Sequence, residues 1–234
     1  MPDKARRVRA MFDGIVQRYE RVNTVTTLGL DAAWRRRLVK GLDLPAGAAV
    51  LDIACGTGQV LRRIARTRPE VVRLVGADFS EVMIRHARGA GPGRATFCRA
   101  DALRLPFAAG SFDAVTCAFG VRNFADPAAG LAEMFRVLRP GGVAGILEFS
   151  MPRAAVLGSL YRFYFRRVLP RLASWLCRDA SGAYEYLQRS VETFTAVDLA
   201  ERMRQCGFEA PRVRRLTLGV VRLYSARKPT GDRT

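Results

Sequence analysis

Between residues 45 and 150 short apolar runs alternate with stretches whose apolar positions recur every three or four residues. The first run, with Val50, Leu51 and Ile53, ends at Gly56 and Gly58, and residues 59–67 continue at helical spacing. A second apolar run closes at Asp78, and Ser80 is placed to cap a helix carrying Met83, Ile84 and Ala87. Residues 95–99 and 111–119 predict a third and a fourth strand. Asp126-Pro127 opens a helix through Val137, with Asp as cap and Pro at the first position. Arg139-Pro-Gly-Gly stops it, and residues 143–149 form a fifth strand. Nearly continuous apolar strands alternating with helices predict a parallel, doubly wound α/β sheet covered on both faces.

The flanks read differently. Phe12, Ile15, Val16 and Tyr19 share one face of an amphipathic helix over residues 5–22, residues 23–30 read as a loop, and a second helix covers 32–42 with Trp34. These helices either cap a ligand or simply pack on the domain. Residues 153–178 break the alternation with a long helical stretch that Pro170 must kink or divide. Its aromatics and six arginines suit a membrane interface, and equally a core helix whose arginines face water. Further helices are expected at 184–194 and 196–206, with Gly207 as the C′ residue. Residues 211–215 and 218–228 then close the sheet as two strands with Gly219 near their turn. The organisation expected is one domain: cap 1–44, ligand-binding core 45–150, insertion and last helix 151–207, closing strands 208–228.

The chemistry concentrates where strands end. Strand, D-x-A-C-G-x-G, helix is a nucleotide-type loop: the glycines permit a tight turn and the helix N-terminus points at the ligand. A dinucleotide fingerprint needs a third glycine, and Leu61 stands there. Asp52 is awkward beside a pyrophosphate but suits a ligand bearing an amine and a sulfonium. Asp78, about twenty residues on, is placed to hold a ribose diol. The ligand implied is S-adenosylmethionine, with another nucleotide or a plain turn as alternatives. Asp101 falls just past the third strand, where it either accepts from an adenine amine or caps a turn.

Charge and cysteines narrow the setting. Thirty-nine Lys and Arg against 21 Asp and Glu leave +18, nearly all of it arginine. Such an excess favours anionic surfaces, nucleic acid or lipid, or reflects coding bias alone. The five cysteines form no C-x-x-C pair and read as reduced core residues of a cytosolic protein, so no metal site is expected. No uninterrupted apolar stretch is long enough to span a bilayer, and the basic first ten residues lack the apolar core of a secretory signal. The only histidine, His86, reads as a surface residue, so any acid–base step needs another side chain.

Taken together the motifs resemble the quinone-biosynthesis C-methyltransferases, which methylate demethylmenaquinone and the ubiquinone precursor. The resemblance rests on Leu51-Asp-Ile-Ala-Cys-Gly-Thr-Gly, Leu105-Pro-Phe, Phe119-Gly-Val-Arg-Asn, Arg139-Pro-Gly-Gly and Leu147-Glu-Phe-Ser. It extends from Phe12-Asp-Gly-Ile near the start to Tyr184-Glu-Tyr-Leu and Leu216-Thr-Leu-Gly near the end. It implies a class I methyltransferase fold with a seven-stranded, mostly parallel sheet and S-adenosylmethionine as cofactor. Thr57, Asp78, Asp101 and Ala102 would contact that cofactor, joined by Asp52, Gly56, Gly58, Phe79 and Ala118. Ala118 and Leu30-Asp31-Ala32 depart from the family, which often has serine at the first position and histidine and arginine in the second segment.

The implied reaction is transfer to a ring carbon of a prenylated quinol, demethylmenaquinol favoured over the ubiquinone precursor. Another small lipophilic acceptor is the runner-up. The ring carbon becomes nucleophilic when the phenolic proton, pKa about 10 by analogy with tyrosine, is removed or shared. Arg122 would stabilise the phenolate and Asn123 orient it, with Glu148 and Tyr19 as further candidates and Asp126 as the ion-pair partner if Arg122 is structural. The expected setting is the cytoplasm with transient peripheral contact at the anionic inner membrane face, no nucleic-acid partner, and a homodimer as one permitted assembly. An RNA methyltransferase, which +18 favours, lacks here the Asn/Asp-Pro-Pro-aromatic signature at the fourth strand end.

Overall fold

The computed structural model describes residues 23–152 and 198–231 throughout, together with 16, 20, 21, 158, 159, 161, 163–168, 186, 190, 191, 193 and 194. Strand β1 (Ala49–Ile53) is buried at every position and lies between β2 (Arg73–Asp78) and β4 (Phe112–Ala118). With β3 (Ala95–Arg99), β5 (Leu138–Phe149), β6 (Glu209–Leu216) and β7 (Val221–Arg227) it makes a seven-stranded sheet of order β3-β2-β1-β4-β5-β7-β6. The first five strands pair in parallel, whereas β7 runs antiparallel to both β5 and β6. Strand order reverses between β1 and β4, so a crevice opens at their carboxyl ends, where open α/β sheets take their ligands.

Alternation along β1 explains the two apolar layers. Leu51 and Ile53 join a cluster with Leu131 and Met134 of helix α4 (Pro127–Val137), while Val50 joins the opposite cluster with Leu38 of α1 (Leu30–Lys40) and Ile64 of α2 (Gln59–Thr67). Each such fully buried aliphatic side chain contributes about 1.5–3 kcal/mol. The caps are those the sequence predicts. Ser80 Oγ accepts from Met83 N (3.1 Å) at the start of α3 (Glu81–Ala90), and Asp126 Oδ1 accepts from Ala128 N (2.8 Å) ahead of Pro127. Gly207 takes φ +96° just after helix α5 (Leu199–Gln205).

Three expectations need correction. Residues 23–26, expected in a loop, are helical: Gly29 N donates to Thr24 O (2.7 Å) and Leu28 N to Val25 O (3.1 Å), the bond pair of a Schellman motif that ends that helix one turn later. Helix α1 therefore starts at Leu30, two residues before its expected position. Strand β5 begins at Leu138 rather than Val143, because Leu138 already pairs with Phe112; residues 139–142 then form a bulge where the register with β4 shifts, and Asp113 Oδ2 accepts from Arg139 Nη1 (2.6 Å) across it. Of the closing strands, β6 is longer than expected at both ends and β7 shorter at both ends, starting only at Val221 because Thr217 and Leu218 turn the chain with positive φ. Most of the helical expectations over 5–22, 153–178 and 184–194 lie outside the described residues; within them Tyr164–Val168 forms a single π-helical turn.

Candidate functional site

After β1 the chain turns through Ala54 and Gly56, both at φ +52°, and Gly58 at φ +81°. Asp78, at the end of β2, binds this turn to the next helix: Oδ2 accepts from Gly56 N (2.9 Å) and Oδ1 from Ser80 N (2.9 Å). A cavity of about 650 Å³ opens above these strand ends, a size suited to a nucleoside-containing ligand. Gly56, Asp78, Phe79, Asp101, Ala102 and Ala118 all line it. Asp101 also builds its own turn, with Oδ1 accepting from Leu103 N (2.9 Å), so it caps a turn while lining the cavity. At Ala118 the wall offers a methyl group to the cavity.

Asp52, Thr57 and Gly58 are not among the lining residues. Asp52 is buried on the far side of the strand end, where Thr116 Oγ1 donates to its Oδ1 (2.6 Å). Burial pushes its carboxyl up to about 7, with the Thr116 hydrogen bond and the charge of Arg35 pulling the other way. Arg35 is itself buried and donates from Nη1 to Asp31 Oδ2 (2.8 Å). The departure at Leu30-Asp31-Ala32 thus supplies the counter-ion of a buried arginine.

The opposite wall is made at the ends of β4 and β5. Phe119 turns with φ +63°, and a Cβ on Gly120 would stand 2.6 Å from Ala54 Cβ and 2.7 Å from Cys117 Sγ, so only glycine fits where the β1 and β4 turns meet. Arg122 follows on a short 3-10 turn (Val121–Asn123) and is buried, its Nη1 donating to Glu148 Oε1 (2.9 Å) and to the Phe119 carbonyl. Its ion-pair partner is therefore Glu148, not Asp126, which is engaged in capping α4. Burial raises the Glu148 carboxyl to about 7 although the Arg122 charge opposes this. Asn123 lines the cavity, and its Oδ1 accepts from the Tyr186 hydroxyl (3.1 Å). Tyr19 lies outside the described residues.

Aromatic packing joins these parts. Phe119 and Phe149 stack with centroids 4.5 Å apart, Arg35 lies over Phe119 and Arg122 over Phe149, each guanidinium carbon 5.4 Å from its ring. Trp34 meets both rings edge-on and donates from Nε1 to Thr217 Oγ1 (2.8 Å). Sequence reasoning missed Phe119 as a cavity wall, Arg35 as a buried charge, and Tyr186. The Tyr184-Glu-Tyr-Leu segment carries Tyr186, but no spacing rule points it at Asn123, 63 positions away.

Two carboxylates at the mouth of a cavity in a protein of net charge +18 suit a ligand with a cationic centre, hydroxyls and an amine, so the residues present fit S-adenosylmethionine. The sheet order, with β7 antiparallel beside β5, and the crevice at the β1/β4 reversal are those of the class I S-adenosylmethionine-dependent methyltransferase fold. A solved S-adenosylmethionine-dependent methyltransferase of Thermotoga maritima shares this fold, with a TM-score of 0.68 over 94% of this chain and 99% of that one at 21% identity. Within that class the chain belongs to the ubiE/COQ5 methyltransferase family, which matches residues 1–228, and it is a methyltransferase. It is similar to the demethylmenaquinone methyltransferase of Deinococcus radiodurans, 44% identical over 95% of this chain and 92% of that protein. The ubiquinone/menaquinone biosynthesis C-methyltransferase of Geobacter sulfurreducens is 42% identical over 97% and 91%.

Proposed function

We propose that this protein moves the methyl group of S-adenosylmethionine to a ring carbon of a prenylated quinol, with demethylmenaquinol as the favoured acceptor. The observation that carries the reading is the buried Arg122–Glu148 pair, which does not itself line the cavity but whose Arg122 sits between the lining residues Gly120 and Asn123, across from Asp78 and Gly56. When bound, S-adenosylmethionine supplies an electrophilic methyl on a sulfonium. Asp78 would accept from its ribose hydroxyls, and Asp101 would accept from its adenine amine. Asn123, with its carbonyl oxygen taken by Tyr186, keeps its amide N–H groups for the quinol oxygen. Arg122, held by Glu148 and the Phe119 carbonyl, adds positive charge where the phenolate develops, and such preorganised charge is worth most in a dry site. One ring C–H becomes C–CH3, and one proton leaves per methyl transferred. Phe119 and its neighbours exclude water, which would compete for the methyl.

A quinol with an isoprenoid tail stays in the bilayer, so the protein meets it at the anionic inner face of the membrane by transient contact. Among the described residues no helix is long and apolar enough to cross a membrane. The test is direct: purified protein, isotopically methyl-labelled S-adenosylmethionine and demethylmenaquinol in detergent, with products read by mass spectrometry and NMR. A labelled methyl on the ring carbon is expected. Label on a phenolic oxygen, or none, overturns the reading.

A further inference from the structure

Two exposed leucines are held in backbone conformations that leucine rarely adopts. Leu28 takes φ +52° at the C′ position of the Schellman motif, where glycine is the usual residue, and its side chain is 79% exposed. Leu218 takes φ +56° in the turn between β6 and β7 and is 76% exposed. Left-handed backbone is strained for a non-glycine residue, and neither side chain offsets that strain by burial. Strain kept on exposed apolar side chains points to something outside the protein that covers them.

The two turns belong to one edge. Thr217, beside Leu218, accepts from Trp34, one helical turn along α1 from the exposed Leu30. Tyr164 OH donates to Thr26 O (2.9 Å), which brings the neighbouring Phe163, 60% exposed, to the Leu28 turn. Phe149 pairs with Val221, so the Leu218 turn stands at the same carboxyl edge of the sheet as the cavity, and Trp34 packs edge-on against Phe119, which lines it. Cations flank the leucines. Arg21 lies one turn before Val25, Arg37 lies on α1, and Arg215 stands directly opposite Arg222 at the root of the Leu218 turn. Arg21, Arg37 and Arg215 are exposed and make no ion pair among the described residues. Like charges directly opposite each other are destabilising, and the carboxylate beside Arg222 on β5, Glu148, is already engaged by Arg122.

We propose that the Leu28 and Leu218 turns form a paired wedge that enters the interfacial layer of an anionic bilayer, with Arg21, Arg37 and Arg215 on its phosphates, so that the cavity mouth faces the membrane. Apolar tips flanked by cations are the composition of an interfacial anchor, and each basic residue near an anionic surface raises affinity about fivefold. The wedge deepens the quinol reading, on which its purpose rests, and it fixes the contact on two turns outside the 153–178 stretch.

The test uses Leu28→Gly/Leu218→Gly. Glycine relaxes both turns, so the double variant should unfold at the same or a higher temperature than wild type while its partitioning falls at least about tenfold. Partitioning is read by co-sedimentation with vesicles of phosphatidylglycerol and phosphatidylcholine in equal parts, against phosphatidylcholine alone, and wild-type binding should weaken with salt. Methylation of a tail-less naphthoquinol in solution is measured beside it and should be unchanged. A double variant that binds vesicles as wild type does overturns the wedge. So does a wild type whose apolar edge proves, by sedimentation velocity, to be covered by a second copy and which ignores anionic vesicles. Wild type that methylates the tail-less quinol but ignores vesicles overturns the wedge alone; wild type that binds vesicles and methylates no quinol overturns the quinol reading alone.

Discussion

The two walls of the cavity are built by opposite means. On the β1 side the working parts are backbone turns and one carboxylate whose partners are amides 22 and two residues away, at Gly56 and Ser80. On the β4–β5 side they are side chains from separate elements: Asn123, which lines the cavity, with Tyr186, and next to it the buried Arg122 with Glu148, which do not. Each side also contains a buried carboxyl raised to about 7, but Asp52 faces a neutral hydroxyl whereas Glu148 faces a guanidinium. A wall of backbone turns serves a ligand of fixed shape, and a wall of paired side chains can place charge against an acceptor that changes its own during reaction.

Breaking the side-chain wall should have the largest effect. Arg122→Ala leaves Glu148 buried without its counter-ion, at a cost of about 3–5 kcal/mol in urea denaturation, and should abolish turnover while the folded protein still binds S-adenosylmethionine in calorimetry. Equal loss of cofactor binding would make Arg122 a structural residue. Asp78→Ala tests the other wall: affinity for S-adenosylmethionine should fall by about 1.5–3 kcal/mol, roughly ten- to more than a hundredfold, and unchanged affinity would remove Asp78 from the ribose.

The two carboxyls separate by pH. A carboxyl raised in the folded state keeps its proton where the unfolded chain has lost it. Its contribution is therefore fully present below about pH 4 and is lost as pH rises through about 7. Asp52→Asn should flatten the fall in stability over that window, because Thr116 can still donate to the amide oxygen. Glu148→Gln should not improve stability at neutral pH, because it strands a buried Arg122. Denaturation at about pH 5, inside that window, and at about pH 7.5, just above it, measures both. The smallest effect is Tyr186→Phe, which removes one hydrogen bond of about 0.5–1.5 kcal/mol and should lower turnover about two- to tenfold with little change in cofactor affinity.

The same contrast decides what could be read from the sequence. The five parallel strands, the glycine turn, Asp78 and the caps at Ser80 and Asp126 are local patterns, each enforced by neighbours within a few positions, and they were legible. The Arg122–Glu148 pair spans 26 positions and the Tyr186–Asn123 bond 63, and only the packed sheet brings such groups together. Arg122 and Glu148 were each named as candidates, but their union was not. Asp31 was visible as a departure from the family, and its meaning depended on a buried Arg35 that periodicity places on a helix without saying which charges it meets. Leu28 was hidden because residues 23–30 carry loop-like composition, while their backbone bonds end a helix.

The antiparallel strand beside β5 also sets a clock. Strand β5 ends at Phe149 and its outer neighbour β7 begins at Val221, so roughly 70 residues are synthesised between them. At about 5–20 residues per second the open edge of β5 waits some 4–14 seconds on the ribosome for its partner. During that interval Val143, Ile146 and Leu147 offer an unpaired, apolar parallel-sheet edge to any other nascent chain. The order of strands that shapes the cavity therefore also makes the growing polypeptide dependent on protection until β7 emerges.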